Sequence, residues 1–131
     1  LKLGNEKDTL NVVFDQVGTP TYAADLAGAI LSIINISEKE PEKFVPGIYH
    51  YSNEWVVSWY DFAKAIFEIS EVKCNVLPVR SVEFPTPAKR PSFSVLDKSK
   101  IKITYGISIP NWRESLKICI QKLSWNWKFE G

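Results

Sequence analysis

The sequence predicts an α/β layer structure within one domain, residues 1–131, in which a few short strands pack with about three main helices. Short apolar runs at residues 11–14, 48–52 and 75–79 have strand character and end in polar or proline-containing breaks. Between and after them, apolar residues recur at three- and four-residue steps, the spacing of a helix with one buried stripe. The length of 131 residues, with 45% hydrophobic and 24% charged residues, suits a single globular domain with a real core. Three short strands nevertheless make a thin sheet for a self-sufficient domain.

Residues 1–10 are polar and read as the tail of a helix or a tether leading into the strand Asn11-Val12-Val13-Phe14. The loop Asp15-Gln16-Val17-Gly18-Thr19-Pro20-Thr21 follows. A helix then begins near Tyr22 and buries Tyr22, Leu26, Ile30, Ile33 and Ile34 along one stripe, capped by Thr21 or by Thr19 with Pro20 in the first turn. Residues 38–47, EKEPEKFVPG, are charged and twice broken by proline, as an exposed connection would be. The tyrosine-rich run 48–52 is the second strand, bounded by Gly47 and by Asn53-Glu54. Ser58 caps a second helix with Trp59, Phe62, Ala63, Ile66 and Phe67 on its buried face and Asp61 as a weak capping-box partner. Residues 75–79 form the third strand. Pro85, Pro87 and Pro91 hold residues 84–91 extended and stiff. The last helix starts at Asn111 with Glu114 as capping-box partner and buries Trp112, Leu116, Cys119, Ile120 and Leu123, and residues 125–131 form a terminal extension.

The net charge of +1, with acids and bases mixed along the chain, gives no basic face for nucleic acid. No apolar run approaches the roughly twenty residues of a membrane-spanning helix, so a soluble, cytoplasmic protein is expected. Cys74 and Cys119 lie outside any CxxC pair and read as reduced structural thiols. His50, the sole histidine, sits in an apolar run and reads as a hydrogen-bonded strand residue, which leaves neither a zinc site nor a Ser/His/Asp triad. Methionine is absent and the chain begins at Leu1, which points to a piece excised from a longer protein.

Two features could carry chemistry. Gly18 in the 15–21 loop allows backbone conformations closed to other residues, and Gln16, Thr19, Pro20 and Thr21 place short polar groups and a stiff exit at a helix N-terminus, where unpaired N–H groups favour anions. An ordinary capped turn has the same pattern. Arg90, held among prolines, is the cation singled out for a phosphate, whose oxygens match the planar guanidinium; the alternative is a surface arginine in a proline loop. Tyr60-Asp61-Phe62-Ala63-Lys64 matches the Y-x-x-x-K pair of short-chain dehydrogenases but reads as a decoy. No G-x-x-G-x-x-G or G-x-G-x-x-G turn accompanies it, since the glycines at 4, 18, 28, 47, 106 and 131 are too far apart. Lys64 also projects to water. The seventeen aromatic residues, five of them Trp, lie mostly on helical stripes and belong to the core.

The segments Val13-Phe14-Asp15-Gln16-Val17-Gly18-Thr19-Pro20-Thr21-Tyr22-Ala23 with Asp25-Leu26-Ala27, Gly47-Ile48-Tyr49-His50, Ser58-Trp59-Tyr60-Asp61-Phe62-Ala63, and Pro85-Thr86-Pro87-Ala88-Lys89-Arg90-Pro91 with Ser94, Leu96 and Asp97 together resemble the dTDP-4-dehydrorhamnose reductase family. The resemblance runs from about residue 12 to 123 and covers only the small C-terminal substrate-binding part of these extended short-chain dehydrogenase/reductases. It implies that the Rossmann domain, with NADPH or NADH and the catalytic tyrosine and lysine, lies outside this chain, which has no catalytic residue and is inactive alone. It further implies that Gln16, Gly18, Thr19, Pro20 and Thr21 line the cleft for a dTDP-sugar, that Arg90 approaches its diphosphate, and that the parent enzyme makes dTDP-L-rhamnose for cell-surface polysaccharide. Some members of the family use a divalent ion such as Mg2+, with no ligands assigned in this chain, and a homodimer is compatible with the resemblance. A non-catalytic regulatory or nucleotide-binding protein on the same scaffold, like the regulatory subunit of methionine adenosyltransferase, is the rival. One departure stands out: the turn after Ser52-Asn53-Glu54 usually carries glycine, and here Trp55 would be strained if that turn needs a positive φ.

Overall fold

The computed structural model describes residues 1–84 and 86–126, so Pro85 of the proline segment and residues 127–131 of the expected extension lie outside the described residues. The chain runs α1 (Lys2–Glu6), β1 (Thr9–Val13), β2 (Val17–Gly18), α2 (Ala23–Lys39), β3 (Val57–Ser58), α3 (Trp59–Ser70), β4 (Asn75–Val79), β5 (Phe93–Ser94), α4 (Ser99–Tyr105) and α5 (Trp112–Asn126). The α/β class and the three main helices, α2, α3 and α5, are as the sequence predicts. The segment before residue 11 takes the helical alternative, forming α1, and it also supplies the first residues of β1, which starts two residues earlier than predicted.

Two small sheets replace the single thin one. β1 and β4 pair in parallel over their full length, from Thr9 opposite Asn75 to Val13 opposite Val79. In the second sheet the two-residue β2 is central, antiparallel to β3 and parallel to β5. Residues 48–52 join neither sheet, so the second predicted strand is corrected to an extended segment with no strand beside it among the described residues.

The caps separate local from long-range causes. Ser58 starts α3 as predicted: its Oγ accepts the Asp61 N–H at 3.0 Å and its hydroxyl donates to the Asp61 carboxylate at 2.6 Å. Asn111 starts α5, its Oδ1 accepting the Arg113 N–H at 2.7 Å. Neither threonine caps α2. Tyr22 occupies the cap position with no side-chain cap bond, and its N–H is taken by Asn53 Oδ1 at 2.8 Å, while Thr21 Oγ1 donates back to the Thr19 carbonyl.

The core is small. Ile101, Tyr105 and Ile109 form one buried cluster, with Ile33, Ile36, Tyr49, Tyr51 and Ile107 packed against it. Ala65, Phe67, Val76 and Trp112 are buried where α3 meets β4 and α5, with the Phe62 and Trp112 rings edge to face at 5.7 Å. Several expected core residues stay in solvent: Leu26, Ile30 and Ile34 of α2, Trp59 of α3 and Leu123 of α5 are exposed. The helical period was right, but nothing among the described residues covers those faces. No described helix is long and apolar enough to cross a membrane.

Candidate functional site

A cleft of about 250 Å³ opens beside the second sheet, lined on one side by Gln16, Gly18, Thr19 and Pro20 and on the other by Arg90, with Trp59 and Phe62 among the remaining walls. Its shape follows from the β2 pairings. The Val17 N–H donates to the Ser92 carbonyl at 2.9 Å, and Gly18 lies opposite Ser94, so the 15–21 loop and the segment carrying Arg90 are drawn together. Gly18 is needed here for a different reason from the one the sequence suggested. It does not adopt a positive φ; an added Cβ would stand 3.1 Å from the Ser94 carbonyl oxygen, tighter than side-chain carbons normally come.

The loop's polar groups divide into structural and available ones. Asp15 points away to Ser81, its carboxylate accepting the Ser81 N–H at 2.9 and 3.0 Å and the Ser81 hydroxyl at 2.7 Å. Those donors, the hydroxyl first, hold the Asp15 carboxyl below its ordinary pKa. Gln16 Nε2 donates to the same Ser81 hydroxyl oxygen at 2.8 Å, and the Gln16 carbonyl accepts the Trp59 N–H. The loop is thus pinned to the turn after β4. Thr19 is different: its Oγ1 is buried in the cleft wall with no partner, a state that costs about 1–3 kcal/mol if nothing binds there. Thr21 does not line the cleft and is exposed.

Arg90 is exposed and, among the described residues, its guanidinium has no ion-pair or hydrogen-bond partner. Tyr60 and Lys64 lie on α3 outside the cleft, the ammonium 5.4 Å from the tyrosine ring centre and exposed to water. Val57, Ser58, Trp59, Phe62, Pro91 and Ser94 are among the lining residues that sequence reasoning missed as site residues. The signal was present in part, because Trp59 stands next to a helix cap whose partner strand β3 is only two residues long.

Outside the cleft lining lies a buried polar hub. Asn53, fully buried, donates through Nδ2 to Asp25 Oδ2 at 2.6 Å, Ser115 Oγ at 2.9 Å and the Pro110 carbonyl at 3.1 Å. The Ser115 hydroxyl also donates to Asp25. These bonds tie the start of α2 to α5 and to the turn at residues 53–55. Burial, with the Asp25 and Glu54 charges, pushes the nearby Tyr51 phenol above its ordinary pKa.

A cleft that sets an unpaired guanidinium and an orphaned hydroxyl beside aromatic walls defines a small-molecule-binding α/β domain. The chain belongs to the family described as RmlD substrate binding domain, whose sequence profile matches residues 1–125. It is 38% identical to a dTDP-4-dehydrorhamnose reductase of Sinorhizobium fredii over all of this chain and 44% of that protein. The crystal structure of a dTDP-4-dehydrorhamnose reductase from Clostridium acetobutylicum superposes with a TM-score of 0.84 at 41% identity, over 94% of this chain and 41% of that one. A second, from Bacillus anthracis and solved in complex with NADP, gives a TM-score of 0.79 at 39% identity over 88% of this chain and 39% of its own. The chain therefore spans about two-fifths of the length of these relatives.

Proposed function

We propose that this chain is the part of an NAD(P)H-dependent dTDP-4-dehydrorhamnose reductase that holds the nucleotide-sugar, in a soluble cytoplasmic enzyme. The observation that carries the reading is the meeting of the Gln16–Pro20 wall and the unpaired Arg90 across one cleft. Arg90 binds the diphosphate with paired, charge-assisted hydrogen bonds, and the Thr19 hydroxyl supplies a further hydrogen bond. The chain's task is to place the sugar and keep it from moving, so that a reacting carbon meets its hydride donor in one orientation. NADPH or NADH supplies the hydride, and it is assigned to the part of the protein outside residues 1–131, because the scattered glycines of this chain form no dinucleotide-binding turn. No group of three or more His, Cys, Asp or Glu among the described residues could hold a metal ion, so no role is given to Mg2+ here.

Arg90→Ala in the complete protein is expected to weaken dTDP-sugar binding by about 1.5–3 kcal/mol while NADPH affinity stays unchanged, both read by titration calorimetry. Equal sugar-nucleotide affinity in the two proteins would remove Arg90 from the site. If the complete protein, given NADPH and the 4-keto-sugar nucleotide, consumed no cofactor, the reductase reading would fail.

A further inference from the structure

Ser81 opens the turn after β4, nine positions before Arg90, and its side chain reaches the opposite wall of the cleft. The Ser81 hydroxyl oxygen stands 2.7 Å from Asp15 Oδ1 and 2.8 Å from Gln16 Nε2. A hydroxyl has one proton to give, and an ionised carboxylate can only accept. The donors around Asp15 keep its carboxyl below its ordinary pKa, so the Ser81 proton goes to Asp15. The Ser81 oxygen is then left as an acceptor, and only the NH2 end of the Gln16 amide satisfies it. The two ends of an amide have nearly the same shape, and this chain of donors is what tells them apart. Backbone bonds fix both ends of the chain: the Ser81 N–H donates to Asp15 at 2.9 and 3.0 Å, and the Gln16 carbonyl accepts the Trp59 N–H at 3.3 Å. Gln16 lines the cleft, and the other end of its amide, Oε1, has no partner among the described residues.

We propose that Ser81, held by Asp15, is a positioning residue that turns the Gln16 amide so that Oε1 faces the ligand and accepts a hydrogen bond from a neutral donor of the nucleotide-sugar, a hydroxyl of the sugar or the N–H of the base. The acceptor complements the cation across the cleft. Arg90 serves the oxygens of a diphosphate, whereas a carbonyl oxygen repels a phosphate and favours the uncharged part of the same molecule. Gln16 thereby sets the direction in which the ligand lies, its diphosphate toward Arg90 and its neutral donor toward the 15–21 loop. The inference rests on reading this cleft as the nucleotide-sugar site.

Titration calorimetry of dTDP-rhamnose into the complete protein tests this. Ser81→Ala, which keeps the N–H bonds to Asp15, and Gln16→Met, which keeps the length of the side chain and removes its amide, are each expected to weaken binding about three- to tenfold. The two together are expected to be no worse than Gln16→Met alone, because Ser81 acts through Gln16, whereas Ser81→Ala added to Arg90→Ala is expected to contribute its full factor. Ser81→Thr, which keeps the hydroxyl, is expected to bind like the unmodified protein, and NADPH affinity to stay unchanged throughout. A loss seen equally with dTDP places the donor on the nucleoside, and a loss confined to dTDP-rhamnose places it on the sugar. If Ser81→Ala does not fold, Ser81→Cys, whose thiol is a weak donor and a weak acceptor, takes its place with the same expectations. Full additivity of the Ser81 and Gln16 substitutions, the result of a purely structural role for Ser81, would overturn the proposal. Weaker binding in Arg90→Ala with unchanged binding in Gln16→Met would overturn it alone, and unchanged binding in both would remove the reading of the cleft along with it.

Discussion

Trp55 offers a direct test of stored backbone strain. Its φ is 70°, the left-handed region, in a residue that is 70% exposed. The conformation is imposed by its neighbour. The Glu54 N–H donates to the Pro110 carbonyl at 2.9 Å, the Glu54 carbonyl accepts the Trp112 N–H at 3.2 Å, and the Glu54 carboxylate is held by Lys98 at 3.1 Å and by Lys102. Trp55→Ala and Trp55→Gly discard the same indole contacts and differ only at the backbone. A Cβ in the left-handed region costs about 1–2 kcal/mol, while glycine's extra freedom in the unfolded chain costs about 0.4–1 kcal/mol. The glycine variant is therefore expected to be more stable than the alanine variant by roughly 1 kcal/mol, a few degrees in the midpoint of thermal unfolding followed by circular dichroism. At an ordinary exposed position the order is the reverse. An alanine variant as stable as the glycine variant, or more so, would refute the account of the turn.

Asn53→Ala strips partners from the Tyr22 N–H, the Pro110 carbonyl and the Asp25 carboxylate in a fully buried place, and is expected to cost about 2–4 kcal/mol in urea denaturation; a loss below about 1 kcal/mol would mean that water replaces the amide. Glu54 gives a pH signature, since hydrogen bonds from Lys102 and then Lys98 hold its carboxyl below its ordinary 4.5 in the folded protein. As pH falls the unfolded chain takes up that proton first, so the stabilisation is complete above about 4.5 and is lost as pH drops from there through the depressed folded value. Glu54→Gln is expected to flatten this part of the stability profile, and an unchanged acid limb would show that Glu54 does not contribute.

What was legible in the sequence was local. The Ser58 and Asn111 caps each depend on residues within three positions of one another, whereas the strain at Trp55 was signalled by the family pattern and is set by bonds that reach Pro110 and Trp112. The 3.6-residue period of α2 was also readable, but which side is buried depends on neighbours: of the predicted stripe Ile33 packs on the core while Leu26, Ile30 and Ile34 face solvent. The cap of α2 could not be found by pattern, because the acceptor for the Tyr22 N–H is Asn53, thirty-one positions on. Strands β2, β3 and β5 are two residues each and carry no periodicity, so their pairing was invisible. The seven-residue α4 had a usable signal in Gly106, which ends it at φ 64°.

The site was half legible for the same reason. Gln16, Gly18, Thr19, Pro20 and Arg90 could each be picked out as unusual, yet their meeting depends on Gly18 reaching Ser94 across more than seventy positions. That approach is a matter of volume. With a Cβ at position 18 the Ser94 carbonyl must give by a few tenths of an ångström, and Arg90 lies on the segment that leads into β5, four residues before Ser94. Gly18 therefore bears on the width of the cleft and makes no demand on backbone angles. The buried Thr19 hydroxyl, without a partner among the described residues, is a cost to the folded chain, whereas the Arg90 guanidinium is exposed to water and carries no such penalty; both line the same cleft. On the proposed function, an anionic ligand with hydrogen-bonding oxygens partners both groups and removes the cost at Thr19.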